Sequence, residues 1–399
     1  MILSIKVLIA FSCLCLLHSY VFYPFLLRLL SINKKPNQQI YSRQDDLPFV
    51  SVIMSVYNEE RVIAEKLESL LALHYPTDKI CIYIGSDCSA DQTNTIIESY
   101  AKENTIIRFF PFQKRQGKPG VVNELTRIVA EDRALTDEHI FLVTDASVML
   151  AKDTLFHLVK HFKNPEITIV DANMVHTGMK AEGISKSENQ YISGEVLLKH
   201  REGLVWGKMI GPFGGCYSIR SSYFSKVPDN FLVDDFYITM RVFERGGMAI
   251  NELEAVCYEP VSHEIKEEYR RKSRISAGNF QNMSTFPQLW WPPFKRLNFA
   301  FFSHKILRWL GPFFLLIIVF GTGILYLADN IWYGFLFLLL TIGSGLVFVL
   351  DHLLNLLKIN IMPLRSVRYF LVMNLALFEG FFKFLKGIRS NAWEPPKRN

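Results

Sequence analysis

Five short stretches of this chain carry side chains whose types and spacing suit a charged, oxygen-rich ligand. Asp87 stands in Ser86-Asp87-Cys88-Ser89-Ala90-Asp91-Gln92-Thr93, where a carboxylate can accept hydrogen bonds from a base or ribose edge. Arg115-Gln116-Gly117-Lys118 joins a small residue, which lets backbone approach closely, to a cation for phosphate. Asp145, in Thr144-Asp145-Ala146-Ser147, offers a hard oxygen for Mg²⁺ or Mn²⁺, cations that neutralise a leaving diphosphate. Gly211-Pro212-Phe213-Gly214-Gly215-Cys216 is a glycine-rich loop without the GxGxxG of a dinucleotide site. Asp234-Asp235 stand ahead of a helical stretch ending near Arg245-Gly246-Gly247. Adjacent acids there can satisfy the helix dipole, or one can serve as a general base for an arriving hydroxyl; the pattern leaves both open. Taken singly these are ordinary, Lys118 as a solvated lysine and Asp91 as a helix cap. Together they fit a nucleotide diphosphate.

The elements that would position them alternate. Phe49–Val56 reads as a buried strand and Asn58 as the cap of a helix reaching Leu73, with Ile63, Leu67, Leu70 and Leu71 at helical spacing. Ile80–Gly85, Thr105–Phe110 and Ile140–Thr144 are further strands, separated by helices over Gln92–Lys102 and from Pro119 to Ala134. That order predicts an α/β fold with a mostly parallel sheet and helices on both faces. Ligands of such sheets bind beyond the carboxyl ends of the strands, where the stretches at Asn58-Glu59, Asp87, Arg115–Lys118 and Asp145 fall.

Outside this soluble segment the chain is apolar. Half of its 399 residues are hydrophobic, 14% are aromatic and 21% charged. Val7–Leu27, Leu310–Ala328 and Ile331–Leu350 hold no Asp, Glu, Lys or Arg, and each is long enough for a bilayer's hydrocarbon core. Arg28, Lys34, Lys35 and Arg43 follow the first segment, and Lys295, Arg296, Lys305 and Arg308 precede the second. The positive-inside rule then puts the soluble insert in the cytoplasm, Asp329-Asn330 at an outer turn, and Lys358, Arg365 and Arg368 in an inner loop. Tyr369–Leu385 carries Glu379 and Lys383, four apart and able to pair; the favoured reading is a fourth span with the basic tail outside, the alternatives a segment that lies in the interface or folds back. The expected layout is a transmembrane helix over 1–30, a cytosolic domain over 48–284, an interfacial segment over 285–309, transmembrane helices over 310–386 and a basic tail over 387–399. The setting is the inner (plasma) membrane. A net charge of +6 without a dense basic stripe excludes nucleic acid as a partner. Six cysteines with no CxxC or zinc spacing read as free thiols.

In this order the motifs resemble a membrane-anchored family 2 glycosyltransferase of the GT-A fold. Val50–Glu59 is similar to its opening strand and Asn-Glu turn, Tyr75-Pro76 to its Tyr-Pro pair, and Ser86–Thr93 to its Asp-Asp-x-Ser-x-Asp-x-Thr element. Gly117-Lys118 with Asn123 matches its Gly-Lys…Asn element, Asp145-Ala146-Ser147 its Asp-x-Asp site, and Gly214-Gly215 its acceptor loop. Asp234-Asp235 with Arg241 matches its Glu-Asp pair and the arginine that follows. The resemblance implies inverting transfer of a hexosyl or N-acetylhexosaminyl group from a nucleotide sugar. Asn58, Glu59, Asp87, Lys118, Asp145, Arg271 and Arg274 would hold the donor; Gly214, Gly215 and Asp234 the acceptor; Asp145 and Ser147 the Mg²⁺ or Mn²⁺. Asp235 would be the catalytic base.

Three departures bear on that implication. Ser147 replaces the second acid of Asp-x-Asp, and Ser86 the first acid of the Asp-Asp pair. Arg271-Lys272-Ser273-Arg274-Ile275 occupies the place of the Gln-x-x-Arg-Trp motif of processive synthases, with isoleucine where an aromatic would stack on sugar. The favoured expectation is a single transfer to a lipid-linked or glycan acceptor beside membrane lipids, for cell-surface glycan or glycolipid synthesis. A processive polysaccharide synthase and a non-catalytic membrane subunit are the alternatives.

Overall fold

The computed structural model describes residues 1–177, 185–260, 265–328, 331–357, 359 and 361–388, the side chains of 185–191 and 355 apart. In chain order, helix α1 (Ile2–Leu17) runs through a π-helical turn (His18–Phe22) into α2 (Tyr23–Ser31). Then come α3 (Ile63–Leu71), α4 (Thr93–Glu103), α5 (Gly117–Asp132), α6 (Thr154–Val159), α7 (Ser185–Trp206) and α8 (Asp234–Glu244). The last group is α9 (Ile265–Thr285), α10 (Arg296–Phe301), α11 (Leu307–Trp309), α12 (Gly311–Leu327), α13 (Ile331–Leu356) and α14 (Met362–Leu385). The strands are β1 (Phe49–Val56), β2 (Ile80–Asp87), β3 (Ile107–Phe112), β4 (His139–Thr144), β5 (Met149–Leu150), β6 (Ile167–Thr177), β7 (Cys216–Arg220) and β8 (Met248–Pro260). Two compact units result. One is Met1–Leu29, Met179–Tyr191 and Ser262–Gly387; the other is Leu30–Gly178, Ile192–Val261 and Ile388–Asn399.

The second unit is built on one eight-stranded sheet of order β3-β2-β1-β4-β7-β6-β8-β5. Its β3-β2-β1-β4 half is parallel, as the strand–helix alternation predicts, and β6 and β8 also run parallel. Antiparallel pairing of β7 with both β4 and β6, and of β5 with β8, makes the sheet mixed. β2 and β4 are buried at every residue, and Val50, Val52, Ile53 and Met54 of β1 have no exposed surface. Covered strands of this kind read as unbroken apolar runs. Gly85 lets α5 lie on β2, because a Cβ there would come within 2.5 Å of Val121 Cγ1.

The local expectations held to within two residues for most elements and failed at one. Asn58 does not cap a helix. It takes a left-handed backbone (φ +51°), its Oδ1 accepts the Ala90 N–H at 2.9 Å, and α3 starts only at Ile63. Asparagine tolerates that conformation, and its short amide is more useful across the turn than along the chain. Asp91 does act near the start of α4, accepting the Thr93 N–H at 3.0 Å. All six cysteines are free thiols.

The other unit is helical. The run Ile2–Ser31 and the stretch Ile331–Leu354 are long and apolar enough to cross a membrane. Arg296–Trp309 and Gly311–Leu327 pass that test together, with a 56° bend between them. α14 does not, since any 18 consecutive residues of it include three of Arg365, Arg368, Glu379 and Lys383. Glu379 and Lys383 pair at 2.9 Å, as their spacing predicts. Arg365 and Arg368 are not in a loop but in the first two turns of α14, both paired with Asp351 of α13. α9, inside the 48–284 segment, clusters with this unit. Ser276 Oγ donates to the Leu377 carbonyl at 2.8 Å, and a Cβ on Gly380 would come within 2.6 Å of the Ser273 carbonyl. The expected outer turn at Asp329-Asn330, Lys358 and the basic tail from Arg389 lie outside the described residues.

Candidate active site at the strand ends

The rim at the carboxyl ends of β1 and β2 is stitched by side chains bonding to backbone. Asn58 N–H donates to Ser89 Oγ at 3.1 Å and Glu59 N–H to Thr93 Oγ1 at 2.8 Å. Glu60 N–H donates to Asp91 Oδ2, and Gln92 N–H returns a bond to Glu60 Oε2. Asp87 is buried at the last position of β2. Its Oδ1 accepts the Gln116 N–H at 2.6 Å; its Oδ2 accepts the Gly117 N–H and Arg115 Nε–H, both at 3.0 Å. Asp87 thus ties down the start of α5, a helix end that attracts anions. The Arg115 guanidinium lies 3.4 Å from the centroid of the Tyr57 ring. Gly117 supplies the positive φ (+74°) that turns the chain from β3 into α5 and presents Lys118.

Lys118 joins the two sides of the site. Its Nζ lies 2.6 Å from Asp145 Oδ1 and donates to the Gly214 carbonyl at 3.2 Å. Burial works against the charge on Lys118, but Asp145, Asp234 and Asp235 outweigh it and hold the ammonium above the usual lysine range. Asp145 follows β4, its N–H bonded to the Gly215 carbonyl at 3.0 Å, and a turn closed from Val148 N–H to Asp145 O contains the buried Ser147.

Across from this rim, Asp234 and Asp235 open α8, both in its first turn. Asp235 Oδ1 accepts the N–H of Phe236 at 2.8 Å, and Gly214 leaves room for the carboxylate: a Cβ there would sit 2.5 Å from Asp235 Oδ2. Burial first, and then the charge of Asp234, push the Asp235 carboxyl up to about 7, against the pull of Lys118 and the Phe236 N–H. Among the described residues, buried Asp234 Oδ2 has no hydrogen-bond partner, and neither has the Tyr217 hydroxyl. Burial, with Asp234, Asp235 and Asp145 nearby, drives the Tyr217 phenol well above its ordinary range.

Ten of the twelve residues singled out in the sequence therefore lie in the sheet unit: Asn58, Glu59, Asp87, Lys118, Asp145, Ser147, Gly214, Gly215, Asp234 and Asp235. Arg271 and Arg274 belong to the helical unit, on α9, where Arg271 bonds buried Glu268 through Nε at 2.8 Å.

Three residues absent from the sequence reading stand behind the site. Lys66 on α3 has no exposed surface; it donates to Thr144 Oγ1 at 2.8 Å and to the Val148 carbonyl at 2.5 Å, and burial pulls it down to about 8. Asp171, fully buried in β6, accepts the Phe213 N–H at 2.7 Å and pairs with Lys199 at 2.5 Å, fixing the glycine-rich loop. Tyr217 is the third. A signal existed for two of them. Lys66 shares a helix face with Ile63, Leu67 and Leu70, and Asp171 stands between the apolar Ile169-Val170 and Ala172. Tyr217 carried no sequence signal.

A divalent cation of the Mg²⁺ or Mn²⁺ kind would find one part-exposed carboxylate here, that of Asp145. Among the described residues no three His, Cys, Asp or Glu side chains converge on one point. Such cations commonly take only one or two protein carboxylates, the remaining positions going to phosphate oxygens and water. Asp145 is a part-exposed carboxylate beside the ammonium of Lys118, a point that already holds positive charge.

Comparison with known proteins gives a consistent picture. The sequence model described as glycosyl transferase family group 2 matches residues 140–377, more than half of the chain, and that of glycosyl transferase family 2 matches 51–227. A beta-monoglucosyldiacylglycerol synthase of Trichormus variabilis is 27% identical over 175 residues, 43% of this chain and 36% of that protein. A poly-beta-1,6-N-acetyl-D-glucosamine synthase of Staphylococcus aureus is 28% identical over 144 residues, 36% of this chain and 32% of that protein. These alignments thus span about a third of the length of either curated relative. A mannosyltransferase from Pyrobaculum calidifontis, solved in complex with GDP-Man and Mn²⁺, superposes with a TM-score of 0.73 at 19% identity, covering 96% of this chain and 99% of the other.

Proposed function

The chain belongs to glycosyl transferase family group 2, and from that premise we propose that it moves a sugar, with inversion, from a nucleotide-diphosphate sugar to a hydroxyl of a lipid-linked acceptor at the cytoplasmic membrane face. The observation that carries this reading is Asp235: a half-buried carboxylate pushed up to about 7, beside a glycine that leaves room for it. A base with a pKa near the working pH combines availability with proton-accepting strength. Asp235 takes the proton of the acceptor hydroxyl. The acceptor oxygen bonds the anomeric carbon as the bond to the diphosphate breaks on the opposite face, and the nucleoside diphosphate leaves.

Lys118 contributes a fixed positive charge on the leaving-group side, an electrostatic contribution that needs no reorganisation. Asp145 and Ser147 would hold the Mg²⁺ or Mn²⁺, which when bound neutralises the departing diphosphate. Asn58, Glu59 and Asp87 frame the donor. Gly214, Gly215 and Asp234 face the acceptor. The Mn²⁺ and GDP-Man in the mannosyltransferase structure support a divalent metal and a nucleotide sugar here. The apolar helices and the run of interfacial aromatics Trp290, Trp291 and Phe294 support a multi-pass inner-membrane enzyme.

A lipid acceptor is favoured by the relative that is a diacylglycerol glycolipid synthase, and by Ile275 standing where an aromatic would grip a growing polymer. A processive synthase is the second reading, favoured by the relative that makes a poly-N-acetylglucosamine. Membranes containing the chain are incubated with Mn²⁺ and a panel of radiolabelled nucleotide sugars, then split into organic-soluble and large water-soluble fractions. Label in the lipid fraction supports single transfer and names the donor. Label in large polymer favours the synthase, and label in neither removes the transferase reading.

A further inference from the structure

Lys66 is an ammonium with no exposed surface, on the core-facing side of α3 among Ile63, Leu67 and Leu70. Its hydrogen-bond partners are a hydroxyl and a carbonyl, Thr144 Oγ1 at 2.8 Å and Val148 O at 2.5 Å. Burying a cation on neutral partners is costly, and an apolar chain of the same length would fill that space without the cost. What the lysine does that an apolar chain cannot is grip both ends of one turn. Thr144 and Val148 flank Asp145-Ala146-Ser147 on either side. The same Thr144 hydroxyl donates to the Gly215 carbonyl at 2.9 Å, and Asp145 N–H donates to that carbonyl as well. The neighbouring Gly214 carbonyl receives Lys118, and Gly214 abuts the Asp235 carboxylate. One buried side chain therefore sits at the root of the turn bearing Asp145, of the glycine loop and, through that loop, of the general base.

We infer that Lys66 is a positioning residue of the transfer reaction: its buried ammonium holds the Thr144–Val148 turn so that Asp145 and the Gly214-Gly215 loop are set to receive the donor's diphosphate. The inference rests on the function proposed above and names no contact of Lys66 with substrate. Partners that orient a ligating carboxylate typically change affinity or activity by about 10–100-fold when removed.

The test compares full-length wild type, Lys66→Met and Thr144→Val in detergent. Calorimetry measures binding of uridine, guanosine, adenosine and cytidine diphosphates with and without MnCl₂, and steady-state assays give KM and kcat for the donor. Lys66→Met is expected to fold with a Tm near that of wild type, to weaken the Mn²⁺-dependent diphosphate affinity and raise the donor KM by roughly tenfold or more, and to change kcat less. Thr144→Val, which keeps the shape and removes the shared hydroxyl, moves both in the same direction by a smaller factor, and stands in if Lys66→Met does not fold. A merely structural lysine gives the opposite split: a lower Tm and less active protein, with affinity and KM within twofold of wild type. That result in both variants overturns the inference alone. A wild type that binds none of the four diphosphates removes the proposed function, and this inference with it.

Discussion

The two sides of the site handle their carboxylates in opposite ways. On the β1–β2 rim two acids are spent mainly on backbone: Asp87 accepts two N–H groups and an arginine, and Asp91 accepts the N–H groups of Glu60 and Thr93. At the start of α8 the acids are crowded and underserved. Asp234 Oδ2 and the Tyr217 hydroxyl are buried without partners among the described residues, and Asp235 is pushed up to about 7. Satisfied carboxylates stabilise a fold and hold a loop still; unsatisfied ones store free energy that a proton or a ligand can release. The first side is a frame, and the second is where chemistry is proposed.

The sharpest way to break that contrast is Asp235→Asn. Loss of a general base should lower kcat by roughly 10²–10⁴-fold. In wild type, kcat/KM should climb as pH passes through about 7, because the base acts deprotonated. Stability runs the other way. A carboxyl raised in the folded state binds its proton more tightly there than in the unfolded chain, so its contribution falls as pH rises from about 4 to about 7. Asp235→Asn should therefore melt higher than wild type at pH 8 while being nearly inactive, and a lower Tm with retained transfer would reverse the assignment.

Gly214→Ala comes next. Its Cβ would collide with a carboxylate already tied to the Phe236 N–H, and a displacement near 1 Å in a reacting group costs about 10²-fold. Transfer rate should drop by that order with donor KM little altered; a rate close to wild type would show that Asp235 is not held by this loop. On the frame side, Asp87→Asn leaves the shape and removes the charge from three hydrogen bonds. It should destabilise the unit by about 1.5–3 kcal/mol in urea unfolding and raise the donor KM more than it lowers kcat. Unchanged stability would mean that the rim is not the frame described. Tyr217→Phe is expected to have the smallest effect. Deleting a buried hydroxyl that has no partner should leave Tm unchanged or raise it slightly, whereas a loss above about 1 kcal/mol would reveal a partner for it.

Much of the fold was legible because its signals are local. The Val- and Ile-rich runs at Phe49–Val56 and Ile80–Asp87 and the helix spacing around Ile63 announce a covered parallel sheet, and the charge-free stretches announce helices suited to a membrane. Antiparallel β7 was not legible, since pairing between β4 and β6 is decided by residues far apart in the chain. Asn58 misled because its side chain serves Ala90, 32 residues away, rather than its own helix. In the helical unit, α14 begins seven residues before the apolar segment Tyr369–Leu385 and carries Arg365 and Arg368 inside it. Asp351 of α13 accepts both of those charges, a long-range pairing that no hydropathy count anticipates.

Residue types and their order determined the family, the parallel half of the sheet and most of the side chains that gather at the strand ends, because motif and strand are read over a few residues. Tertiary structure alone decided the protonation and the support of those side chains. Asp234 and Asp235 are two adjacent acids in any sequence. In the fold, desolvation and then the charge of Asp234 push the Asp235 carboxyl up to about 7, and Gly214, twenty residues before Asp234, leaves room for it. Lys66 is an unremarked helix lysine until β4 and the Asp145 turn are laid over it. Desolvation and Coulomb interactions depend on what surrounds a charge in space, and the linear order of residues does not contain that.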